Sequence, residues 1–404
     1  MYRVGINPDA AAGRDGGTRV NFLYTNIGRG HPHYLDGIIE CLEPQYVGQV
    51  ADVFALASGV SLGVWRLARY LYHTAGSSGV TASLYSRLRA NADYNRWGAV
   101  NRVLAGGLRQ RFLSDETPLV VAHPLLVSAL RDRPAVFYQH GEIAAPRESL
   151  VRGEHTVFVP TAHTADAFLA AGIASTHVVV SGLCIERGLV TQAEAAFHAR
   201  LARLSGKAPL CGAFFSTGAE PRLHVTKLVE AALSTVRRGG RVFVFATEAG
   251  SFGARLVAKF SQAGVHLEHV RTVEAMRDRN HDAVLCLYSN RRELNELTAE
   301  IFTQCDYVVS AAHERASWAL GLGLPMFVVD PSLGSFAPGN RELILRRGVG
   351  QPIRSKVEAV QLGSTIERLR SSGDLARMAE SGWGRFDIDG FRRIARVLTQ
   401  LQPC

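Results

Sequence analysis

Short, mostly apolar runs alternate with amphipathic stretches along most of the chain. Val20–Tyr24, Val50–Leu56, Leu119–Ala122, Ala135–Tyr138, Thr156–Val159 and Val178–Val180 read as a first set of strands. Ala208–Phe215, Val242–Ala246, His266–His269, Ala283–Leu287, Tyr307–Ser310 and Pro325–Val329 read as a second set. Apolar strands separated by helical stretches are the pattern of a parallel sheet buried on both faces. Between the sets, Thr191–Ser205 (TQAEAAFHARLARLS) reads as a helix running into a Gly-Lys-Ala-Pro link. The pattern therefore predicts an α/β protein of two Rossmann-like domains, 1–205 and 206–384. A closing segment, 385–404, carries a helix whose Phe391, Ile394, Val397 and Leu398 form one apolar stripe, suited to packing back on the first domain. Ligands of open parallel sheets bind at the carboxyl ends of the strands, so a central cleft between two such edges is expected.

Size and composition agree with this division. A chain of 404 residues exceeds what one core usually supports, and 47% hydrophobic with 20% charged residues is ordinary globular composition. No window approaches the ~18 apolar residues of a membrane span. The start, MYRVGINPDAAAGRDGG, has no apolar core of a secretory signal, so none is expected. Six cysteines are scattered without a C-x-x-C, which fits reduced, mostly buried thiols in a cytoplasmic protein.

Charge changes the picture at one place. Between Leu62 and Phe112 there are eight arginines and one acid, Asp93, a local net charge of +7 out of +9 for the whole chain. Seven aromatics interleave with them. SLGVWRLARYLYH (61–73) fits an amphipathic helix, with Leu62, Trp65, Leu67, Ala68, Leu71 and Tyr72 on a mostly apolar side and Arg66, Arg69 and Tyr70 on another. Such a segment can lie on an anionic membrane, can track nucleic-acid phosphates, or can be a solvated arginine face. The chain has only four lysines, so an arginine-rich composition supports the last reading, and nucleic acid is the least favoured of the three.

The candidate chemistry begins at VNFLYTNIGRGH (20–31), a strand, a tight loop with Gly28 and Gly30, then His31 and a helix over Tyr34–Leu42. That order brings backbone N–H groups and a helix N-terminus to one point, with a titratable imidazole beside it. The alternative for His31 is a turn histidine with its hydrogen bonds satisfied. In the second domain, FFSTGAEP places Ser216, Thr217 and Gly218 in a turn after a strand, where small residues leave N–H groups open to phosphate. His123-Pro124 and His140-Gly141-Glu142 end strands of the first domain, so His123, His140 and Glu142 belong either to an acceptor pocket or to the framework. His313-Glu314-Arg315 opens a helix of the second domain. Arg315 is suited to pairing with a phosphate, while Glu314 can instead complement the helix dipole.

The segments in this order resemble the two-lobed glycosyltransferases of the GT-B fold. Within them the chain is most similar to the branch of monogalactosyldiacylglycerol synthase and the lipid-linked N-acetylglucosaminyltransferase of peptidoglycan synthesis. Four passages carry the likeness: NIGRGHPHYLDGI, TPLVVAHPLLVSAL, VFYQHGEIAAPRESLVRGEHTVFVPTAHTADAFLAAGI followed by VVVSGLCI, and DYVVSAAHERASWALGLGLPMFVVDPSLGSFAPGNRELILRRGVG. Together they span roughly 18–353. The resemblance implies an inverting, metal-independent transfer of a sugar from a nucleotide sugar, a UDP-sugar favoured, to an acceptor hydroxyl, with a lipid as one acceptor class. It implies His31 as the base, Gly28 and Gly30 as loop glycines, and Gly339-Asn340 at the head of the last donor-lobe helix. The chain departs from the family at two points. Ser317 and Trp318 stand where a ribose-binding glutamate is usual, with Glu314 a turn earlier, and Ser335 and Phe336 stand where a glutamine is frequent. No grouping of carboxylates with histidine at metal-ligand spacing marks a metal site, and no cofactor is expected. The missing glutamate also suits a non-catalytic sugar-nucleotide-binding or regulatory protein. A sugar-nucleotide 2-epimerase would share the fold but needs several carboxylates at the cleft, where Glu142 and Glu314 are offered.

Overall fold

The computed structural model describes residues 18–25, 30–75, 93–96, 98–277 and 282–401. They form two compact units. One comprises 18–74 and 93–185 together with the chain from Asp387 onward, and the other comprises Glu186–Phe386.

The first unit holds a six-stranded parallel sheet of β1 (Val20–Tyr24), β2 (Val47–Asp52), β3 (Leu119–Val121), β4 (Val136–Gln139), β5 (Thr156–Val159) and β6 (Val178–Val180), in the order β2-β1-β3-β4-β5-β6. Strand alternation sorts its core into two layers. Leu23, Val121, Tyr138 and Val157 pack with Trp65, Leu104 and Phe168 on one face. Phe22, Val120, Phe137 and Phe158 pack with Tyr34, Ile38, Phe391 and Ile394 on the other. The last helix, Gly390–Thr399, thus lies against helix Gly30–Ile39. Gly37 permits this approach: a Cβ there would stand 2.3 Å from the ring of Phe391.

The second unit holds a seven-stranded parallel sheet of β7 (Cys211–Phe215), β8 (Arg241–Thr247), β9 (Glu268–Val270), β10 (Ala283–Tyr288), β11 (Tyr307–Ser310), β12 (Met326–Val329) and β13 (Gly350–Ile353), in the order β13-β12-β11-β7-β8-β10-β9. Helix Ala193–Ser205 is fastened to this unit by Arg200, which is fully buried. Its Nε donates to the carbonyl of Cys305 at 2.9 Å, and its Nη1 donates to those of Leu322 and Gly323 at 2.8 and 3.0 Å. Burial pulls its pKa down to about 10.

The two parallel-sheet domains of the sequence reading are present; helix Ala193–Ser205, read with the first domain, lies in the second unit, and three further stretches differ locally. The run expected as a strand over Val50–Leu56 is divided: β2 ends at Asp52, and Val53–Leu56 is helical. The Asp52 carboxylate accepts from the Phe54 N–H at 2.9 Å, a helix cap that stops the strand. β13 was not foreseen because Pro352 breaks its pattern, but proline is tolerated on an edge strand, where β13 lies. Helix Gly59–Ala75 does not present Trp65 and Leu67 on one side. Trp65 is buried and its Nε1 donates to the carbonyl of Leu104 at 3.2 Å, while Leu67 is 55% exposed. Two residues are 200° apart on a helix, so one position turns inward and the other outward. Arg87 and Arg89 of the basic segment lie outside the described residues. No described helix is long and apolar enough to cross a membrane.

Candidate functional site

In the second unit, the carboxyl ends of β7 and β11 meet at the centre of the sheet. Val309 pairs with Phe214, which places Ala311 level with Ser216. Ser216 is buried, and its Oγ has no hydrogen-bond partner among the described residues. Thr217 and Gly218 continue the turn toward helix Arg222–Arg237, whose first turn has no side-chain cap. The next helix along, Ser251–Gln262, has its N-terminus occupied: Glu220 accepts from the Ser251 and Phe252 N–H groups at 2.5 and 3.0 Å. Glu220 adopts φ +43° to do so, a left-handed conformation uncommon for glutamate. A pocket of about 580 Å³ opens beside this turn, lined by Gly218, Glu220, Thr247, Glu248 and Tyr288 among others.

Arg315 is the centre of the charge at this edge. It is 8% exposed, and its guanidinium lies 4.0 Å above the ring of Phe215 and 5.3 Å from that of Trp318. Its Nη1 donates to Glu314 at 2.8 Å, while its Nε is buried with no hydrogen-bond partner among the described residues. A guanidinium stacked on an aromatic face is held in a fixed plane, which suits it to bidentate recognition of an oxyanion. His313 precedes this pair, and burial holds its imidazole below the usual histidine range. Gly334, at φ +83°, passes over it, with room for a Cβ only 3.8 Å from the ring. Gly339 and Asn340 lie in the first turns of helix Ala337–Arg346. Asn340 is fully buried, and its Nδ2 donates to the carbonyl of Ala312 at 3.1 Å, joining that helix to the loop after β11.

Trp318 donates its Nε1 to the carboxylate of Glu186 at 2.9 Å. Burial pushes the Glu186 carboxyl up from the ordinary range, with Arg315 and Arg291 opposing that shift. Sequence reading missed Glu186, Phe215 and Glu220. Glu186 lies 132 residues from its partner, and no local pattern links them.

In the first unit, helix Gly30–Ile39 starts directly after the glycine loop, so His31 occupies its first turn beyond the carboxyl end of β1. Gly28 and the side chain of His31 lie outside the described residues. His33 is buried between the rings of Tyr34 and Phe391, at 5.0 and 5.6 Å between centroids. Leu23, Val121 and Tyr138 are in register, which puts Thr25, His123 and His140 in one row two residues further along. His123 caps helix Pro124–Ala129, its Nδ1 accepting from the Leu125 N–H at 3.1 Å. His140 lies between two partners, with Nδ1 3.3 Å from the hydroxyl of Tyr138 and Nε2 3.2 Å from the carbonyl of Ala144. Glu142 is buried in the same loop. Gly141 brings that loop onto the helix of His31: a Cβ there would lie 2.1 Å from the Tyr34 ring. The fold thus brings the loop of His140 and Glu142 onto the helix that begins at Gly30 and groups Ser216, His313, Glu314 and Arg315 at one edge of the second sheet.

Among the described residues no three His, Cys, Asp or Glu side chains converge as a metal-ligand set. The chain does contain an Asp-x-Asp, Asp387-Ile388-Asp389, which the motif reading passed over. Its carboxylates pair with Arg393 and Arg392, the latter at 3.2 Å.

The sequence matches no protein-family model and no curated protein. Its fold is similar to solved structures. A structure described as a putative UDP-N-acetylglucosamine 2-epimerase from Listeria monocytogenes superposes with a TM-score of 0.57 at 10% identity, over 95% of this chain and 96% of that one. The S. aureus MnaA–UDP co-structure gives 0.53 at 10% identity, over 93% and 94%. These likenesses establish the shared two-domain architecture.

Proposed function

We propose that this chain is an enzyme acting on a nucleotide sugar, and that it transfers the sugar to an acceptor hydroxyl, with inversion and without a metal. A UDP-sugar is the favoured donor, in keeping with the UDP of the S. aureus structure. The observation that carries the reading is the edge of β7 and β11. There a buried Arg315 stacked on Phe215, an unpartnered Ser216 hydroxyl and an uncapped helix N-terminus form a cradle for a diphosphate. His31 would take the acceptor proton at the first sheet, with His140 and Glu142 in the acceptor pocket. The four passages resembling the monogalactosyldiacylglycerol synthase branch support transfer over other chemistry.

The cradle is tested by UDP binding. Arg315→Ala is expected to weaken UDP about 10- to 100-fold by calorimetry, since a hydrogen bond to a charged group contributes ~1.5–3 kcal/mol. An unchanged affinity in a variant of unchanged melting temperature would remove Arg315 from the site.

A second reading, a sugar-nucleotide 2-epimerase, is favoured by the description of the Listeria structure. Glu314, one of the two carboxylates the sequence offers for it, is paired with Arg315. The readings separate when a UDP-sugar is supplied without acceptor and followed by NMR: an epimerase produces the C2 epimer, while a transferase produces only slow release of UDP. Neither product would leave a non-catalytic binding protein.

The acceptor is proposed to be a lipid met at an anionic membrane surface. Helix Gly59–Ala75 exposes Val60, Leu67 and Tyr70 beside Arg66, an apolar stripe with a basic border. Arg66→Glu with Arg69→Glu is expected to reduce flotation with anionic vesicles at least tenfold, because each basic residue near such a surface contributes ~1 kcal/mol. Flotation that ignores both the reversal and added salt would remove the membrane from this account.

A further inference from the structure

A second group of cations lies at the opposite edge of the second sheet. There the chain enters β7 through 207–210 and leaves helix Arg222–Arg237 through 238–240, and helix Leu362–Ser371 closes the side. These segments enclose a pocket of about 240 Å³. Its charged lining is Lys207, Arg238, Arg370 and Glu367, with Tyr307 and Leu210 among the apolar lining. Five residues of β7, ~16 Å of strand, separate it from Ser216.

Glu367 answers one of the three cations, Arg238, at 3.5 Å between exposed side chains, a contact that contributes little in water. Arg370 is held in place by its Nη2, which donates to the carbonyl of Arg203 at 2.8 Å. Helix C-termini attract cations, and that explains this bond. It leaves the Nε of Arg370 unexplained, because that atom is buried with no hydrogen-bond partner among the described residues. Arg370 nonetheless lines the pocket together with Lys207 and Arg238, so an oxyanion there would meet three cations.

We propose that this pocket binds a small phosphate-bearing anion, inorganic phosphate or a sugar phosphate, at a site separate from the β7–β11 edge. The volume falls below the ~300–1,000 Å³ of sites for drug-sized ligands, which points to an anion smaller than a nucleotide. The bound anion would join the entry to β7 to helix Leu362–Ser371 through Lys207 and Arg370. The proposal stands independently of the reading of the other edge.

The test is calorimetric titration of the whole chain with inorganic phosphate and with glucose 1-phosphate, at fixed ionic strength. Lys207→Glu with Arg238→Glu changes exposed side chains, so the fold is expected to hold, as judged by melting temperature. This double variant should weaken phosphate about tenfold or more, while Arg315→Ala leaves phosphate affinity at this pocket unchanged. Tighter binding of glucose 1-phosphate identifies a sugar phosphate as the ligand, and equal binding identifies the phosphate group alone. Absence of phosphate binding at millimolar concentration, equal affinity in the double variant, or loss of all binding in Arg315→Ala would overturn the proposal.

Discussion

His31→Ala is expected to reduce sugar transfer by about 10²- to 10⁴-fold, the usual contribution of a positioned general base. UDP affinity should stay as it is, because the groups proposed to hold the diphosphate, Ser216 and Arg315, belong to the second unit. β1 ends at Tyr24, helix Gly30–Ile39 begins within a few residues, and its first turn carries His31. Protonating a general base removes its activity, so transfer in the unaltered protein should fall at acid pH, and the alanine variant should lose this limb of the pH profile. Initial rates of UDP release with acceptor present, alongside calorimetry for UDP, decide the matter. Full turnover in the variant would move the base to another group of the first unit, His140 or Glu142.

Acid should destabilise both units through two buried histidines. His155, in the first unit, is buried with neither ring nitrogen hydrogen-bonded among the described residues, and burial together with nearby His177 holds its pKa at about 4. His224, in the second, is also held at about 4. Burial is the main cause there, and His313 and Lys227 add to it. The Pro331 carbonyl, 2.8 Å from Nε2, and Asp330 oppose it. An unfolded histidine takes up its proton near 6.5. Between pH 6.5 and 4 the unfolded chain therefore binds more protons than the folded one, and stability falls as pH falls. Each histidine contributes about 3 kcal/mol to that loss by the time pH drops below 4. Above pH 6.5 neither has any effect. Urea unfolding at pH 7 and at pH 4.5 should show the loss. His155→Phe keeps a ring beside Tyr138, 6.2 Å away, and should remove the share of the pH dependence that His155 contributes. An unaltered slope in that variant would mean that His155 accepts its proton in the folded state.

Most of the architecture could be read from local pattern. The apolar runs at Leu119–Val121, Thr156–Val159 and Tyr307–Ser310 became β3, β5 and β11 because a strand buried on both faces needs nothing but apolar residues. The pattern failed where a single polar or cyclic residue decided the outcome. Asp52 ended a strand by capping a helix, and Pro352 concealed one by lying on an edge. Candidate site residues at strand ends were legible for the same reason as the strands. What each side chain does there was not. His123 turns out to hold the N–H of Leu125, and Asn340 the carbonyl of Ala312.

By itself the sequence determined two parallel sheets and the Ser-Thr-Gly turn after β7, since hydrophobic period and turn chemistry act over a few residues. Only the tertiary structure decided that Arg315 lies on Phe215, that Trp318 binds Glu186, and that Lys207 shares a pocket with Arg370. Those pairs are about 100 or more residues apart along the chain. Their meeting depends on strand order and helix packing, which no local stretch of residues encodes.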